Sequence, residues 1–97
     1  MRYEITKKAR NELIGIWEYT LQNWSHQQAD KYYQILIEKI EEIAKRPHIG
    51  RNYDRVEIGL KGVAVKSHII FYQIKDNTVE IVRVLHQRMD LENRLNE

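Results

Sequence analysis

Residues 66–90, KSHIIFYQIKDNTVEIVRVLHQRMD, constrain the fold more than any other part of this chain. Two runs of alternating apolar residues flank Asp76-Asn77, a pattern that predicts an antiparallel β-hairpin. Such a hairpin usually keeps one face polar, but here both faces are apolar. A chain of 97 residues builds one modest core. We therefore expect one face of the hairpin to be covered by a partner.

The rest of the chain predicts helices followed by strands. Thr6 and Ser25 are plausible N-caps, and Pro47 cannot continue a helix. The predicted elements are a strand over 2–6, helices over 7–23 and from Ser25 to about 45, strands over 62–66, 68–75 and 79–86, and one or two helical turns in the tail 88–97. This order, β-α-α-β-β-β, favours a single α+β domain over 1–97. Its N-terminal helical hairpin should pack on one face of an antiparallel sheet.

A two-residue turn at Asp76-Asn77 would fix the register of the hairpin. The predicted cross-strand pairs are Ile74 with Val79, Tyr72 with Ile81, Ile70 with Arg83 and His68 with Leu85 on one face, and Phe71 with Val82 and Ile69 with Val84 on the other. Two helices cover only one face of so small a sheet, so the other face should be an exposed apolar patch.

The predicted binding groove on the uncovered face consists of His68, Ile70, Tyr72, Ile74, Ile81, Arg83 and Leu85. Two alternatives to a separate partner chain are open. The tail or the long 46–61 loop could fold over this face, or two copies of the chain could pair through it.

Composition excludes several classes of protein. The chain has no cysteine, so a disulfide scaffold and thiol catalysis are excluded. No signal peptide is evident and no apolar run reaches the length of a membrane span, so we expect a cytoplasmic protein without membrane contact. The four histidines lack metal-ligand spacing, and neither a metal nor a cofactor is expected. Residues 45–97 carry a net charge of +3, which permits an acidic partner.

Four stretches, in order, carry a family resemblance. They are YEITKKARNELIGIWEY near the N-terminus, RPHIGR after the second helix, GLK at 59–61, and SHIIFYQI followed by VRVLHQRMD. Together they resemble the ParE toxins of the RelE/ParE superfamily, from bacterial type II toxin–antitoxin modules. The resemblance covers nearly the whole chain, and the pattern H-x-I-F-Y with R-x-L-H-x-R-M-D looks like ParE more than the nuclease branch.

The resemblance implies a function that the residues alone do not. Toxins of this family inhibit DNA gyrase by trapping it on cleaved DNA. A small ParD-like antitoxin, disordered in its C-terminal segment when free, wraps the toxin in a hetero-oligomer. The antitoxin's N-terminal half binds operator DNA, so the toxin meets DNA only through antitoxin or gyrase. The apolar groove predicted above is a natural dock for the antitoxin segment.

Relatives of the RelE type cut mRNA on the ribosome, and this is the alternative function. A third possibility is a non-toxic member that only binds its antitoxin. The nuclease candidates are His86 as acid or base, with Arg83, Arg88 and Lys66 as cations. However, a regular strand places Arg83 and His86 on opposite faces, and the tail lacks the tyrosine that the nuclease branch tends to carry. Inhibition by binding, without catalysis, is therefore favoured.

Arg83 has two open interpretations, a structural ion pair with Asp54, Glu57 or Asp90, or a contact with an antitoxin carboxylate. His86 is interpreted as a hydrogen-bonded residue that holds the tail against the sheet. Gly15, inside the first helix, is expected to allow close approach of the second helix. The candidates for contact with the target are Arg51, Arg55, Lys61, His86, Arg88 and Met89. The aromatic residues predicted to pack in the core or between helices are Trp17, Tyr19, Trp24, Tyr32 and Tyr33.

Overall fold

The computed structural model describes residues 1–97 and contains every helix and strand predicted from the sequence. The elements are β1 (Arg2–Ile5), α1 (Lys7–Asn23), α2 (His26–Lys45), β2 (Arg51–Asn52), β3 (Lys61–Val65), β4 (His68–Lys75), β5 (Thr78–His86) and α3 (Leu91–Leu95). The short strand β2, inside the 46–61 loop, was not predicted. The fold is α+β, as expected, and none of its helices is long and apolar enough to cross a membrane.

Local side chains define where the two long helices begin. The Thr6 hydroxyl accepts a hydrogen bond from the Ala9 N–H at 3.1 Å, and the Ser25 hydroxyl accepts from the Gln28 N–H at 3.0 Å. Each cap satisfies an N–H group that has no partner within its own helix. Only Trp24 and Ser25 separate the helices, so α1 and α2 form a hairpin on one face of the sheet.

The sheet has the strand order β1-β5-β4-β3-β2 and is mixed, whereas the sequence predicted an antiparallel sheet. The pairs among β2 to β5 are antiparallel, but β1 runs parallel to β5. Because β4 already occupies one edge of β5, β1 takes the other edge. This placement brings Thr6 next to β5, where its N–H donates to the Ile81 carbonyl at 3.0 Å at the start of α1.

The turn of the hairpin has the predicted form. Asp76 and Asn77 have φ values of 52° and 59°, the left-handed pair of a type I′ turn, and the pairs Ile74 with Val79 and Tyr72 with Ile81 are confirmed. Asparagine and aspartate tolerate this region better than most residues, which explains a tight turn without glycine.

A β-bulge then changes the register of the hairpin beyond Tyr72. Phe71 pairs with Arg83 and not with Val82, so one extra residue lies on β5. From that point the predicted pairs are wrong: Ile70 lies opposite Val84, and His68 lies opposite His86. Since the side-chain period of a strand is two, the bulge moves Arg83 and Leu85 to the face opposite Ile70 and Tyr72.

Each face of the sheet carries its own hydrophobic core. The face beneath the helices contributes to an eleven-residue cluster: Ala9, Leu13, Leu36, Ile40, Ile43, Val65, Ile70, Tyr72, Val79, Ile81 and Val84. The other face carries Leu60, Phe71 and Leu85. Against these three pack Tyr53 and Val56 from the loop, Ile69 and Val82 from the strands, and Leu91 and Leu95 from α3.

The prediction of an uncovered sheet face is therefore wrong, and its alternative is confirmed, since both the loop and the tail cover that face. Their apolar side chains supply the missing layer. The loop is also held from the helix side of the sheet. The Tyr72 hydroxyl accepts from the Gly50 N–H and donates to the Pro47 carbonyl, each at 2.9 Å.

Candidate functional site

An open groove of 820 Å³ lies between α1, the start of α2, the β3–β4 turn and the end of β5. We call it the α1–β5 groove. Its apolar walls include Ile16, Tyr19, Trp24, Val84 and Met89, and its polar lining includes Glu12, Tyr32, His68, His86 and Arg88. The groove runs along the side of α1, over the start of β4 and the end of β5.

Large apolar side chains are exposed along the rim of this groove. Trp24 is 74% exposed, Tyr19 is 64% exposed and Met89 is 41% exposed. The prediction that Tyr19 and Trp24 pack in the core or between the helices is therefore wrong. Trp24 is the C-cap of α1, with φ −132° and ψ −98°, so its side chain leaves the direction of the helical stripe. Clustered exposed aromatic groups beside a groove mark an interaction site.

Two histidines form part of the groove lining. His68 and His86 are cross-strand neighbours, with ring centroids 5.1 Å apart. The Tyr32 hydroxyl lies 2.6 Å from His68 Nδ1, and His86 Nδ1 accepts from the Arg88 N–H at 3.1 Å. The interpretation of His86 as a residue that holds the tail agrees with this last bond. Burial, and secondly the neighbouring His86, lower the pKa of His68 to about 4.

Acidification is expected to destabilise the protein through His68. Its pKa is about 4 in the folded state, against an ordinary value of 6.5, so the unfolded chain binds more protons between these values. The free energy of unfolding should therefore fall from pH 7 to pH 4. After screening by water in the open groove, the contribution of His68 is about 1 kcal/mol.

Urea unfolding of His68→Gln and of the wild type at pH 7 and pH 4.5 measures this contribution. The wild type should lose more stability on acidification than the variant does. His48→Gln, an exposed histidine outside the groove, serves as the matched control. Equal losses in the wild type and His68→Gln would contradict the assignment.

Arg83 is 7% exposed and is engaged within the chain. Its Nε and Nη2 atoms lie 3.0 Å and 2.8 Å from Glu12 Oε2, and its Nη1 atom donates to the Arg94 carbonyl. Glu12 Oε1 accepts from the Val84 N–H at 2.9 Å, so one carboxylate holds both the arginine and the backbone after the bulge. The ion-pair interpretation of Arg83 is therefore confirmed, but the predicted partners Asp54, Glu57 and Asp90 were wrong. A carboxylate of another chain would have to displace Glu12.

The structure redistributes the predicted groove residues. Only His68 and Leu85 line the α1–β5 groove. Three of the predicted groove residues, Ile70, Tyr72 and Ile81, are fully buried beneath the helices. Ile74 is half-buried near the hairpin turn, at the other end of β4, and Arg83 is bound to Glu12. The proposed set therefore does not form one surface.

The candidates for target contact fall into two groups. His86, Arg88 and Met89 line the α1–β5 groove, whereas Arg51, Arg55 and Lys61 lie on β2, β3 and the loop between them. The nuclease set is also divided. His86 and Arg88 share the groove, Lys66 lies in the exposed β3–β4 turn, and Arg83 is on the opposite face of β5.

Sequence reasoning did not identify Glu12, Gly15, Tyr19, Trp24 and Gln28 as groove residues. One available signal was the glycine inside the otherwise regular first helix. The expected close approach at that glycine is absent, because a Cβ atom at Gly15 would meet nothing within 4 Å.

Comparison with known proteins agrees with this architecture. Residues 3–91 match the family described as ParE toxin of type II toxin-antitoxin system, parDE. The chain is 37% identical to Toxin ParE1 of Mycobacterium tuberculosis over 97% of both chains. It is 38% identical to Toxin ParE1 of Caulobacter vibrioides over 91% of both.

A solved structure described as a chromosomal ParDE toxin–antitoxin system from P. aeruginosa has the same fold. The TM-score is 0.79 over 89% of this chain and 95% of that one, at 18% identity. The family match extends from β1 to the tail. This chain belongs to the ParE toxin family of type II toxin–antitoxin systems.

Proposed function

We propose that this toxin inhibits DNA gyrase by binding, without chemistry of its own, and that a ParD-like antitoxin neutralises it in the cytoplasm. The antitoxin segment lies in the α1–β5 groove. The exposed cluster of Tyr19, Trp24 and Met89 around this groove carries the proposal. An amphipathic segment that is disordered when free can bury such a rim and fold against it.

The charges of the groove favour an acidic segment. The Glu12 carboxylate is already paired with Arg83. Arg88 is exposed, so its guanidinium group is accessible at the end of the groove. A carboxylate on the antitoxin could pair with this group at the end of the groove.

The gyrase assignment rests on membership of the family and on the α1–β5 groove, which is a binding surface with an exposed apolar rim. The residues that would serve a ribonuclease do not form one site: Arg83 lies on the face of β5 opposite His86 and is already paired with Glu12, and Lys66 lies in the β3–β4 turn. This arrangement supports inhibition by contact. We place the gyrase contact at Arg88 and Met89, which line the groove, because an antitoxin in the groove would then block it.

Purified toxin is expected to inhibit gyrase supercoiling and to accumulate linear, gyrase-cleaved plasmid, and antitoxin should reverse both effects. Arg88→Ala should raise the concentration needed for inhibition about tenfold, the cost of losing a charged contact at an interface. Arg51→Ala, on the other group of candidates, should change it less than about twofold. Gyrase activity is read from plasmid topology on gels.

Toxin that arrests cell growth but leaves gyrase unaffected would overturn the gyrase assignment. Cleavage of mRNA on ribosomes by the same protein, lost in His86→Ala, would establish the RelE-type alternative. Protein that binds the antitoxin but has no effect on growth would be the non-toxic member.

A further inference from the structure

Gly15 leaves one turn of α1 without a side chain where the helix lines the groove. It lies inside a 17-residue helix, and its φ is not among the positive values of this chain. A Cβ atom would collide with side chains at Gly50 or Gly62, but at Gly15 it would enter open space. Neither helix packing nor backbone conformation therefore requires glycine at this position.

Glycine inside a helix is also unfavourable in its own right. It loses more backbone entropy on folding than alanine and leaves the helix backbone exposed to water. Gly15 therefore does not stabilise the free toxin, and we look for its contribution in the binding of a partner. Glu12 and Tyr19 stand three residues before it and four after it, on the same side of α1, and both line the groove. The bare turn is thus a depression in the groove wall.

We propose that Gly15 determines which antitoxin segment the groove accepts. A large apolar side chain of that segment, such as leucine or phenylalanine, seats on the bare turn between Glu12 and Tyr19. This inference rests on the proposed binding of an antitoxin in the groove. Ile16 and Trp24 provide apolar contacts for the inserted side chain, while Glu12, bound to Arg83, does not present an unpaired charge to it.

The variants Gly15→Ala and Gly15→Leu distinguish an effect on antitoxin binding from an effect on the stability of the toxin. Gly15→Ala should raise the urea midpoint of the toxin, because alanine is the better helix former. The same change should weaken the binding of the antitoxin, and Gly15→Leu should weaken it about tenfold or more, since its side chain fills the depression. Arg10→Ala, exposed on the far side of α1 from Gly15 and outside the groove lining, is the matched control and should leave affinity unchanged.

Titration calorimetry with the C-terminal peptide of the antitoxin encoded beside the toxin gives the affinities. A complementary change completes the test: shortening the anchor side chain of the peptide to alanine should weaken binding to the wild type but restore part of the binding to Gly15→Leu. If Gly15→Leu lowers the urea midpoint, its loss of antitoxin affinity could reflect lost stability. The affinity of Gly15→Ala, which is expected to be more stable than the wild type, then tests the role of Gly15.

Two outcomes distinguish failure of this inference from failure of the proposed function. If Trp24→Ala and Met89→Ala weaken antitoxin binding but Gly15→Ala and Gly15→Leu do not, the groove is the binding site and the role of Gly15 is overturned. If none of these four changes alters the affinity, the antitoxin does not bind in the groove, and both the role of Gly15 and the proposed binding site fail.

Discussion

Replacing Arg83 by alanine is expected to lower the free energy of unfolding by about 3–5 kcal/mol, the usual cost of removing one partner of a buried ion pair. Arg83 is 7% exposed, and its loss leaves the Glu12 carboxylate without its counter-ion. The Arg94 carbonyl in the tail loses its donor as well. Urea unfolding followed by the fluorescence of Trp17 and Trp24 measures the change.

Two comparisons show whether the charge pair is responsible. Arg55→Ala breaks the exposed pair with Glu92, 3.8 Å apart, and should cost less than about 1 kcal/mol. The double variant Glu12→Gln with Arg83→Met removes both charges but keeps an oxygen for the Val84 N–H. It should be more stable than Arg83→Ala. A loss in Arg83→Ala no larger than that in Arg55→Ala would refute the structural importance of the pair.

Trp24→Ala is expected to weaken antitoxin binding by at least about 30-fold, the range of an aromatic hot spot at an interface. Trp24 is 74% exposed in the free toxin, so its removal should leave the free energy of unfolding within about 0.5 kcal/mol of the wild type. The combination of lost affinity and retained stability identifies a binding residue. Titration calorimetry and urea unfolding of the same samples provide both values.

The control is an apolar residue that is at least as exposed but lies outside the groove. Ile58 is 87% exposed in the 46–61 loop and does not line the groove. Ile58→Ala should leave antitoxin affinity unchanged. A result in which Ile58→Ala weakens binding and Trp24→Ala does not would place the antitoxin on the loop side of the sheet.

The sequence was sufficient for the helices, for every strand except the short β2 and for the hairpin turn, because each depends on neighbouring residues. The stripes of α1 and α2, the caps at Thr6 and Ser25 and the turn at Asp76-Asn77 are all local patterns. The sequence also pointed to His86, Arg88 and Met89, which share the groove. Their position at the end of the last strand and in the basic tail that follows it made them candidates.

The wrong predictions, those of the strand register and of the uncovered sheet face, failed because they depend on contacts between residues distant in the sequence. The bulge in β5 is accompanied by a bond from the Val84 N–H to Glu12, 72 residues away, and no local pattern announces it. One extra residue was enough to reverse the predicted faces of Arg83 and Leu85. Likewise, the apolar residues of the loop and tail, such as Tyr53 and Leu91, have no periodicity that reveals which surface they cover.

The parallel pairing of β1 with β5 has a consequence for the order of events during synthesis. Arg2 pairs with Thr78 and Ile5 with Ile81, so the first strand waits for a partner made 76 residues later. Until then α1 and α2 can form their hairpin, but neither the β1 edge nor the Glu12 contact to Val84 can exist. Contacts this distant slow folding. A nascent toxin therefore remains incomplete while most of its chain is being translated, which delays the appearance of its finished groove.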